Sequence, residues 1–432
     1  MSTATDTRLA QELRAICGGE HVSEVAAVRT GVAPAMAVMP ASADEVAAVL
    51  RFANAHGLSV FPAGGLSQQM GASTDLVLYT TRLTEVEHYD PGDLTVGVGA
   101  GWKVADLCNK VRHDDLYFAG DPAHRDTCTI GGLLATGMNG PHRHGYGGLR
   151  DYCIGIRFVT GDGRKGKGGG RVVKNVAGYD LMKLLIGSWG TLAVVTSASF
   201  KLFPRPRQTR TFLAEFMGVA DAVAFRDRML RSPLDPICLE MVSPGARSLM
   251  RPEMADSRTW VVCVRAAGSD AVLARYRSEL GLVVSREITG DDEMKLWQAI
   301  ANFSSSAAEA RPDSLLLSFM LALGDVQPAL NDLEDIAKAN GCTLAVVGRV
   351  GVGHVMAALV PEGSDNQRAL RAVSALRNRL PDNASLTVLH APRNPAGDIA
   401  LWPKTPSDIE SMRRVKQALD PNNILSRGRL LF

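Results

Sequence analysis

Residues 148–163 read GLRDYCIGIRFVTGDG, and residues 175–201 read NVAGYDLMKLLIGSWGTLAVVTSASFK. The first stretch predicts an apolar strand over 154–160 that ends in a glycine turn at 161–163. The second predicts a helix over 179–186 and a β-branched strand over 192–196. Small residues separate this helix from this strand, so a flat or highly charged ligand can lie directly against the backbone there.

Two other glycine-rich segments have the same character, at 62–71 and at 129–140. The first follows a predicted strand, and the second opens a predicted helix. Exposed backbone amides at such turns and helix starts bind phosphate groups. Three phosphate-sized backbone cradles in one half of the chain predict a large dinucleotide ligand.

The length and charge of the chain limit its class. A chain of 432 residues is too long for one typical core, which predicts two domains. The formal net charge is +2 without a dense Lys/Arg stripe, which argues against nucleic acid as a partner. The N-terminus lacks the apolar core of a secretion signal, and the longest apolar run, 315–323, is too short to span a bilayer.

The seven cysteines occur singly, and none forms a CxxC pair. The sequence therefore encodes neither a zinc clip nor an iron–sulfur cluster. A scattered, odd set fits reduced thiols and predicts a cytoplasmic protein. Most of these cysteines are expected to be small buried hydrophobic residues.

The domain boundary is predicted at Phe203-Pro204-Arg205-Pro206, because two prolines remove backbone donors and favour an extended connector. Upstream, short strands and helices alternate without a regular βαβ repeat. Downstream, the pattern is typical of an antiparallel sheet covered by helices. The fold class is therefore α+β. The predicted parts are an N-terminal helical segment at 1–31, a ligand-binding domain at 32–206, an α+β cap domain at 207–390, and a C-terminal segment at 391–432 that packs on the first domain.

Each glycine-rich segment also has a simpler interpretation. In the first loop, the amides of Gly64 and Gly65 and the side chains of Ser67 and Gln68 can hold a pyrophosphate, but an ordinary tight turn fits too. In the second, small residues such as Gly131 and Ala135 can let a ring or a ribityl chain pack on backbone, or can serve close helix–strand packing. Arg150 and Asp151 form a polar pair that opens a strand, or a surface ion pair.

Three motifs do not support a site. Residues 161–167 have P-loop spacing, but Gly168 stands where Mg²⁺ binding needs Ser or Thr. The glycines at 97–101 do not complete GxGxxG, because Trp102 occupies the last position, so a nicotinamide site is unsupported. His142 and His144 lack a third ligand at helical spacing, and no metal site is predicted.

Together these segments resemble the vanillyl-alcohol-oxidase/PCMH class of FAD flavoproteins. The run KNVAGYDLMKLLIGSWGTLAVVTSASFKLFPRP resembles, more closely, the FAD-binding subunit of bacterial glycolate oxidase (glycolate dehydrogenase). The resemblance extends over about residues 33–206 and returns at 420–430. It implies a PCMH-type two-lobed FAD-binding domain, an antiparallel-sheet cap domain, and a tail that returns to the FAD domain.

The resemblance and the glycine-rich segments together assign the cofactor-binding residues. The pyrophosphate loop comprises Pro62, Ala63, Gly64, Gly65, Leu66, Ser67, Gln68, Gln69 and Met70. The ribityl chain and phosphates are assigned to Asp121, Pro122, Thr127, Thr129, Ile130, Gly131, Gly132, Ala135 and Thr136. The remaining contacts are assigned to Asn139, Gly140, Gly148, Arg150, Asp151, Gly187, Gly190, Thr191, Val194 and Val195.

The sequence departs from the family pattern both in the first loop and in the cap. Leu66 replaces an expected glycine, and Ala63 replaces an expected basic residue. The loop has no histidine for a covalent flavin link, so FAD is expected to be non-covalent. The cap also lacks the metal-binding histidine cluster of family members that oxidise 2-hydroxy acids alone, since His354 has no second histidine nearby. The catalytic residues are unknown, because no base for the substrate hydroxyl is evident.

The resemblance implies an FAD-dependent oxidoreductase acting on CH–OH groups, a subunit that takes part in oxidising glycolate to glyoxylate. Its partners would be a catalytic FAD subunit and an iron–sulfur subunit that pass electrons to an external acceptor. The complex would be cytoplasmic or at the inner face of the cell membrane. The first alternative is a self-sufficient FAD oxidoreductase for a small hydroxy acid or sugar alcohol. The second is an auxiliary structural subunit with a non-catalytic flavin site.

Overall fold

Two α+β units build the chain in this computed structural model. The structure describes residues 3–24, 36–66, 74–171, 179–250, 258–363, 367–391 and 407–429. The first unit comprises residues 1–139, 147–205 and 405–432, and the second comprises 140–146 and 206–404. The short segment 140–146 therefore belongs to the second unit, although the predicted ligand-binding domain of 32–206 includes it.

The first unit begins with a small mixed sheet. Strand β4 lies between β2 and β3 and pairs in parallel with both, while β1 pairs with β2 antiparallel. Helix α2 begins at Ser42, whose side chain accepts the Glu45 amide at 3.1 Å, and it buries Val46, Val49 and Leu50. The elements are α1 (Thr3–Cys17), β1 (Val22–Glu24), β2 (Met36–Val38), α2 (Ala43–Ala55), β3 (Val60–Ala63) and β4 (Leu76–Tyr79).

A second sheet of the same unit is antiparallel throughout, in the order β5-β6-β10-β8-β9. The predicted strand over 154–160 and the turn at 161–163 are β8 and the hairpin to β9. The elements are β5 (Val86–Asp90), β6 (Thr95–Gly99), α3 (Val104–Arg112), β7 (Leu116–Tyr117), α4 (Ile130–Thr136), α5 (Arg143–Tyr146, in the second unit), α6 (Leu149–Tyr152), β8 (Cys153–Thr160), β9 (Lys165–Gly169), α7 (Leu181–Leu185), β10 (Ala193–Lys201) and β11 (Phe203–Pro204).

The second unit is built on one antiparallel sheet in the order β15-β12-β14-β13-β17-β18-β16-β19. One face packs against α8, α10, α13 and α14, and the other against α9, α11 and α12. The elements are β12 (Thr209–Phe216), α8 (Val219–Arg231), β13 (Cys238–Val242), α9 (Pro244–Met250), β14 (Trp260–Ala267), α10 (Asp270–Leu280), β15 (Val284–Ile288), α11 (Gly290–Ala301), α12 (Phe303–Ala310), β16 (Leu315–Met320), α13 (Val326–Ala339), β17 (Cys342–Arg349), β18 (His354–Pro361), α14 (Gln367–Arg379) and β19 (Ser385–His390).

The chain ends with helix α15 (Ile409–Leu419) and a tail that adds to the first sheet. The Val60 amide donates to the Ile424 carbonyl at 2.7 Å, and the Ser426 amide donates to the Val60 carbonyl at 2.9 Å. The α+β class and the antiparallel sheet covered by helices are confirmed. No helix among the described residues has the length and apolar character needed to cross a membrane.

Candidate functional site

The first and second glycine-rich segments lie against each other in the first unit. A Cβ at Gly65 would lie 1.7 Å from the carbonyl oxygen of Thr127, and a Cβ at Gly64 would lie 2.0 Å from Thr129 Oγ1. No side chain fits at such distances, so both positions require glycine. The carbonyl of Ala63 accepts the Thr80 amide at 2.8 Å, which fixes the start of the loop.

The start of α4 uses its own amides within the protein. Thr129 is the N-cap residue and accepts the Gly132 amide at 3.2 Å. The amides of Ile130 and Gly131 donate at 2.8 Å to the carbonyls of Trp102 and Ala100. A Cβ at Gly131 would lie 3.0 Å from the Ala100 Cβ. Gly131 therefore packs closely against Ala100, while its predicted contact with the cofactor stays a prediction.

The end of α4 contacts the third glycine-rich segment, which is residues 187–191. A Cβ at Gly137 would lie 3.1 Å from the Gly187 Cα. The amide of Gly187 donates to the Leu134 carbonyl at 2.9 Å, and the amide of Trp189 donates to the Ala135 carbonyl at 2.7 Å. The backbone at 187–189 is thereby fixed to the last turn of α4.

The third segment also reaches the first loop. Gly190 has a φ of +70°, and a Cβ there would lie 3.4 to 3.6 Å from three carbons of the Pro62 ring. Because 62–66 contacts both 127–129 and Gly190, and α4 connects to 187–189, all three segments converge at one place in the first unit. The convergence that the sequence predicted is thus present.

Arg150 and Asp151 do not open a strand as expected, because they lie on the one-turn helix α6 before β8. Asp151 Oδ2 accepts the Gly148 amide at 2.7 Å, so Asp151 caps its own helix. Arg150 Nη2 donates to the Ile186 carbonyl at 3.0 Å. Asn139 Oδ1 accepts the Leu149 amide at 3.0 Å. These three side chains brace the third segment and α6.

The remaining predicted site residues differ in their burial and in their hydrogen bonds. Asp121 and Pro122 are buried, Thr127 is exposed, and Thr136 Oγ1 donates to the Gly132 carbonyl at 2.8 Å. Val194 and Val195 are buried in β10, and Thr191 Oγ1 donates to the Ser188 carbonyl at 2.6 Å. Gly140 belongs to the second unit. Residues Ser67, Gln68, Gln69 and Met70 lie outside the described residues.

Leu66, which stands in place of an expected glycine, has a left-handed backbone with a φ of +50°. That conformation costs a non-glycine residue about 1–2 kcal/mol, since its Cβ crowds the following carbonyl. The backbone of this loop therefore retains the conformation that glycine favours, although the side chain differs.

The C-terminal tail braces this place through a buried lysine that sequence reasoning did not identify. Lys416 Nζ donates to the carbonyls of Thr191 at 2.8 Å and Leu425 at 3.1 Å, and it forms an ion pair with Asp420 at 2.5 Å. Burial lowers the pKa of Lys416. Asp420 also accepts the amides of Ile424 and Leu425 at 3.0 and 2.8 Å.

Arg429 is a second tail residue that the sequence did not reveal. Its guanidinium lies 4.7 Å from the centre of the Phe61 ring and 5.2 Å from the centre of the Trp189 ring. Burial lowers its pKa to about 10. The Ser426 hydroxyl donates to the Gly190 carbonyl at 3.3 Å. The tail thus contacts the residues that flank both the first and the third segment.

We expect Gly190→Val to reduce FAD retention at least tenfold. The reason differs from the one that the sequence suggests, which is loss of space for the flavin ring. Valine is strained at a φ of +70°, and its branches would press on Pro62, so the first loop would shift. The measurement is the ratio of flavin absorbance to protein absorbance after purification, and an unchanged ratio would contradict this placement.

Three histidines of the second unit have hydrogen-bonding partners within that unit. His142 Nε2 lies 3.3 Å from Arg265 Nη1, and His390 Nε2 lies 3.2 Å from the Pro312 carbonyl. His354 Nδ1 lies 2.6 Å from Arg349 Nη1. Within the described part of the chain, no group of three or more His, Cys, Asp or Glu side chains is arranged to hold a metal ion.

His354 predicts a pH dependence of stability. Burial, and then the charges of Arg349 and Arg143, hold the pKa of His354 well below 6.5. The unfolded chain therefore binds a proton below pH 6.5 that the folded chain does not, and stability is lost as the pH falls. Between pH 7.5 and 5.5 we expect the wild type to lose about 1.4 kcal/mol more than His354→Gln. Denaturant unfolding at both pH values checks this, and equal losses would contradict it.

Two protein families match the chain. The family described as "FAD binding domain" matches residues 34–165, and the family described as "FAD linked oxidases, C-terminal domain" matches residues 400–430. The first match contains the first two glycine-rich segments, and the second contains Lys416, Asp420 and Arg429. The second match shows that the tail, which braces the site, is also similar to FAD-linked oxidases.

Curated relatives agree with these matches. Glycolate oxidase subunit GlcD of Bacillus subtilis is 23% identical over 92% of this chain and 89% of its own length. D-lactate dehydrogenase of Archaeoglobus fulgidus is 28% identical over 91% of this chain and 90% of its own length. Glycolate oxidase subunit GlcE of Escherichia coli is 37% identical over 30% of this chain and 37% of its own length.

A solved structure of p-cresol methylhydroxylase with substrate bound has the same fold. Its TM-score is 0.76 at 14% identity, over 99% of this chain and 97% of the other. The fold is therefore the PCMH-type fold. The chain carries an FAD-binding domain and matches the C-terminal domain of FAD-linked oxidases over residues 400–430, and it is an FAD-linked oxidoreductase whose cofactor is FAD.

Proposed function

We propose that this chain is the FAD-binding subunit of a glycolate-oxidase-type complex that oxidises glycolate, a 2-hydroxy acid, to glyoxylate. The observation that carries the proposal is the convergence of residues 62–66, 127–139 and 187–191 in the first unit. The names of the relatives supply the substrate class, since they act on glycolate and D-lactate. The similarity to GlcE is the reason for choosing the glycolate complex over other hydroxy-acid oxidoreductases.

The residues of the first unit would hold FAD without a covalent bond. Residues 62–66 contain no histidine, and Gly64 and Gly65 allow this loop to lie directly against residues 127–129. Arg429 would contribute positive charge near a loop in which Ala63 replaces a basic residue. The Gly187–Val195 segment and α6 would complete the site.

The reaction removes a hydride from the substrate carbon and a proton from its hydroxyl group. FAD, when bound, accepts the hydride with its two electrons. The chain's own task is to hold the cofactor rigidly and to keep it from dissociating. Electrons leave through an external acceptor, and we propose that partner subunits, one with FAD and one with iron–sulfur clusters, provide this path in the cytoplasm. The sequence itself contains no CxxC motif for a cluster.

A second candidate function is supported by one comparison. The D-lactate dehydrogenase relative covers 91% of this chain at 28% identity, which favours a self-sufficient FAD dehydrogenase of a small hydroxy acid. This candidate needs no partner subunit. It predicts turnover by the isolated chain, whereas the complex subunit predicts turnover only with its partners.

Two measurements test the proposal. The absorbance spectrum of the gently purified chain should show flavin, and acid release should yield FAD rather than FMN. Steady-state turnover of glycolate, D-lactate and D-2-hydroxyglutarate with an artificial electron acceptor should be negligible for the isolated chain and appear with co-purified partners. Full turnover by the isolated chain would replace the lead proposal by the second candidate. Complete absence of flavin would leave only an auxiliary structural subunit.

A further inference from the structure

A row of polar side chains interrupts one face of the eight-stranded sheet in the second unit. We name Glu240 on β13, Arg349 on β17, His354 on β18 and Ser318 on β16 the polar row. Strand alternation places these side chains on the face that carries the apolar cluster of Val347, Met356 and their neighbours. Arg349 pairs with His354 across β17 and β18. The row therefore lies on four neighbouring strands of the sheet.

Two charged side chains of the polar row are buried. Arg349 Nε lies 3.4 Å from Glu240 Oε1, and their side chains are 3% and 0% exposed. A buried ion pair of this kind is seldom retained for stability alone, since well-packed apolar residues often serve as well. His354 and Ser318 are only half-buried, so the row is accessible at that end.

The hydrogen bonds fix the protonation state of His354. Arg349 Nη1 lies 2.6 Å from His354 Nδ1, and a guanidinium group can only donate. His354 Nδ1 therefore accepts, and its proton resides on Nε2, which lies 2.9 Å from Ser318 Oγ. Since Nε2 donates to Ser318, the Ser318 hydroxyl retains its own proton for a further acceptor.

This arrangement excludes His354 as a base for the substrate hydroxyl. The single lone pair of its neutral ring already accepts the hydrogen bond from Arg349. Burial, and then the positive potential of nearby guanidinium groups, lowers the pKa of His354, which agrees with a neutral ring. Two guanidinium groups contribute to that potential, Arg349 and Arg143, and Arg143 Nη1 lies 3.7 Å from Met320 Sδ in the same unit.

The chemistry of these groups selects a small carboxylate as ligand. Guanidinium groups bind carboxylates through paired N–H donors, and a hydroxyl that has already accepted one hydrogen bond is a good donor to an oxygen anion. We propose that Arg349, Arg143 and Ser318 bind the carboxylate group of a small 2-hydroxy acid, and that His354 is a positioning residue that orients Ser318. The inference rests on the proposed function for the choice of hydroxy acid, but the carboxylate site can be tested alone.

Binding is measured by calorimetry on the full chain, as purified with its cofactor, using oxalate and glycolate as probes. Ethylene glycol, which has the hydroxyls without a carboxylate, is the negative probe. We expect both acids to bind and ethylene glycol to give no heat. Ser318→Ala should weaken the binding of oxalate about tenfold. Arg247→Met, which removes an arginine from the same unit outside the row, should bind oxalate like the wild type.

Arg349→Met alone would leave the Glu240 carboxylate buried without Arg349 and can unfold the unit. The double variant Arg349→Met/Glu240→Gln removes both charges, so it should fold and bind oxalate at least tenfold more weakly. Wild-type oxalate affinity in this folded double variant and in Ser318→Ala would overturn the inference. Tighter binding of inorganic phosphate than of oxalate would also overturn it, since the site would then select a different anion.

The role of His354 has its own test. His354→Gln supplies an amide that can donate to Ser318, whereas His354→Leu cannot. We expect His354→Gln to retain part of the oxalate affinity that His354→Leu loses, while both variants keep the same flavin content. Equal losses in both variants would remove the positioning role. Row-dependent oxalate binding in a chain that gives no glycolate turnover even with co-purified partners would contradict the proposed function and leave the carboxylate site in place.

Discussion

Gly65→Ala is expected to lower the FAD content of the purified protein at least tenfold. A single added methyl group at this position would lie 1.7 Å from the carbonyl oxygen of Thr127, which belongs to backbone and cannot rotate away. The first loop must then move from the second segment, and overpacking of this kind costs about 1–3 kcal/mol. The proposed pyrophosphate cradle would be lost, because residues 62–66 and residues 127–129 would separate. Flavin absorbance per protein and the dissociation constant for added FAD measure the effect.

Gly170→Ala is the matched control for this variant. Gly170 belongs to the same unit and the same glycine-rich composition, but a Cβ there would meet no heavy atom within 4 Å. The control should purify with the flavin content of the wild type. If Gly65→Ala also retained stoichiometric FAD, the loop at 62–66 would not be part of the cofactor site, and the proposed function would lose its main support.

The sequence was sufficient to predict the local elements of this fold and the convergence of its glycine-rich segments. An apolar run predicted β8, and a β-branched run over 192–196 predicted the start of β10, because both signals lie within a few neighbouring residues. Gly64, Gly65 and Gly190 are glycines for backbone reasons. Their positions, directly after β3 for Gly64 and Gly65 and between α7 and β10 for Gly190, are a signal that the sequence shows. The α+β class follows from the same local patterns.

Other features depend on contacts between residues far apart in the chain. Arg150 and Asp151 were expected to form a polar pair that opens a strand, with a surface ion pair as the alternative. The chain instead turns into a short helix, in which Asp151 accepts the Gly148 amide and Arg150 donates to the Ile186 carbonyl. Nothing in the local sequence distinguishes a capping aspartate from an ion-pair partner. The surroundings of Gly131 could not be predicted from the sequence either. A packing glycine and a cofactor-binding glycine give the same sequence pattern, and only the folded chain shows which atoms a Cβ would contact.

The contacts of the C-terminal tail were the hardest to predict, because they join residues that are farthest apart in the chain. Lys416 bonds to a carbonyl 225 residues earlier in the chain, and Ser426 bonds to one 236 residues earlier. A lysine on an amphipathic helix is usually solvated, so its pattern indicates an exposed face. Only the folded chain reveals that this lysine is buried and connects the tail to the third segment.

Lys416→Met is expected to destabilise the first unit by about 3–5 kcal/mol, the typical cost of removing one partner of a buried ion pair. Asp420 would remain charged at 1% exposure without its cation, and the carbonyls of Thr191 and Leu425 would lose a donor. The third segment would also lose its connection to the tail, so FAD should dissociate more readily. Denaturant unfolding and the FAD dissociation constant measure both effects.

Two controls separate the buried charge from the loss of packing. Arg413→Met removes an exposed charge from the same helix, which pairs there with Glu410, and should change stability by less than about 1 kcal/mol. Lys416→Met/Asp420→Asn removes both charges of the buried pair, so the double variant should recover part of the stability lost by Lys416→Met. If the single and double variants unfolded at the same denaturant concentration, the ion pair would not account for the effect. If Lys416→Met were as stable as Arg413→Met, the tail would not brace the site, and the similarity of residues 400–430 to FAD-linked oxidases would need another structural reason.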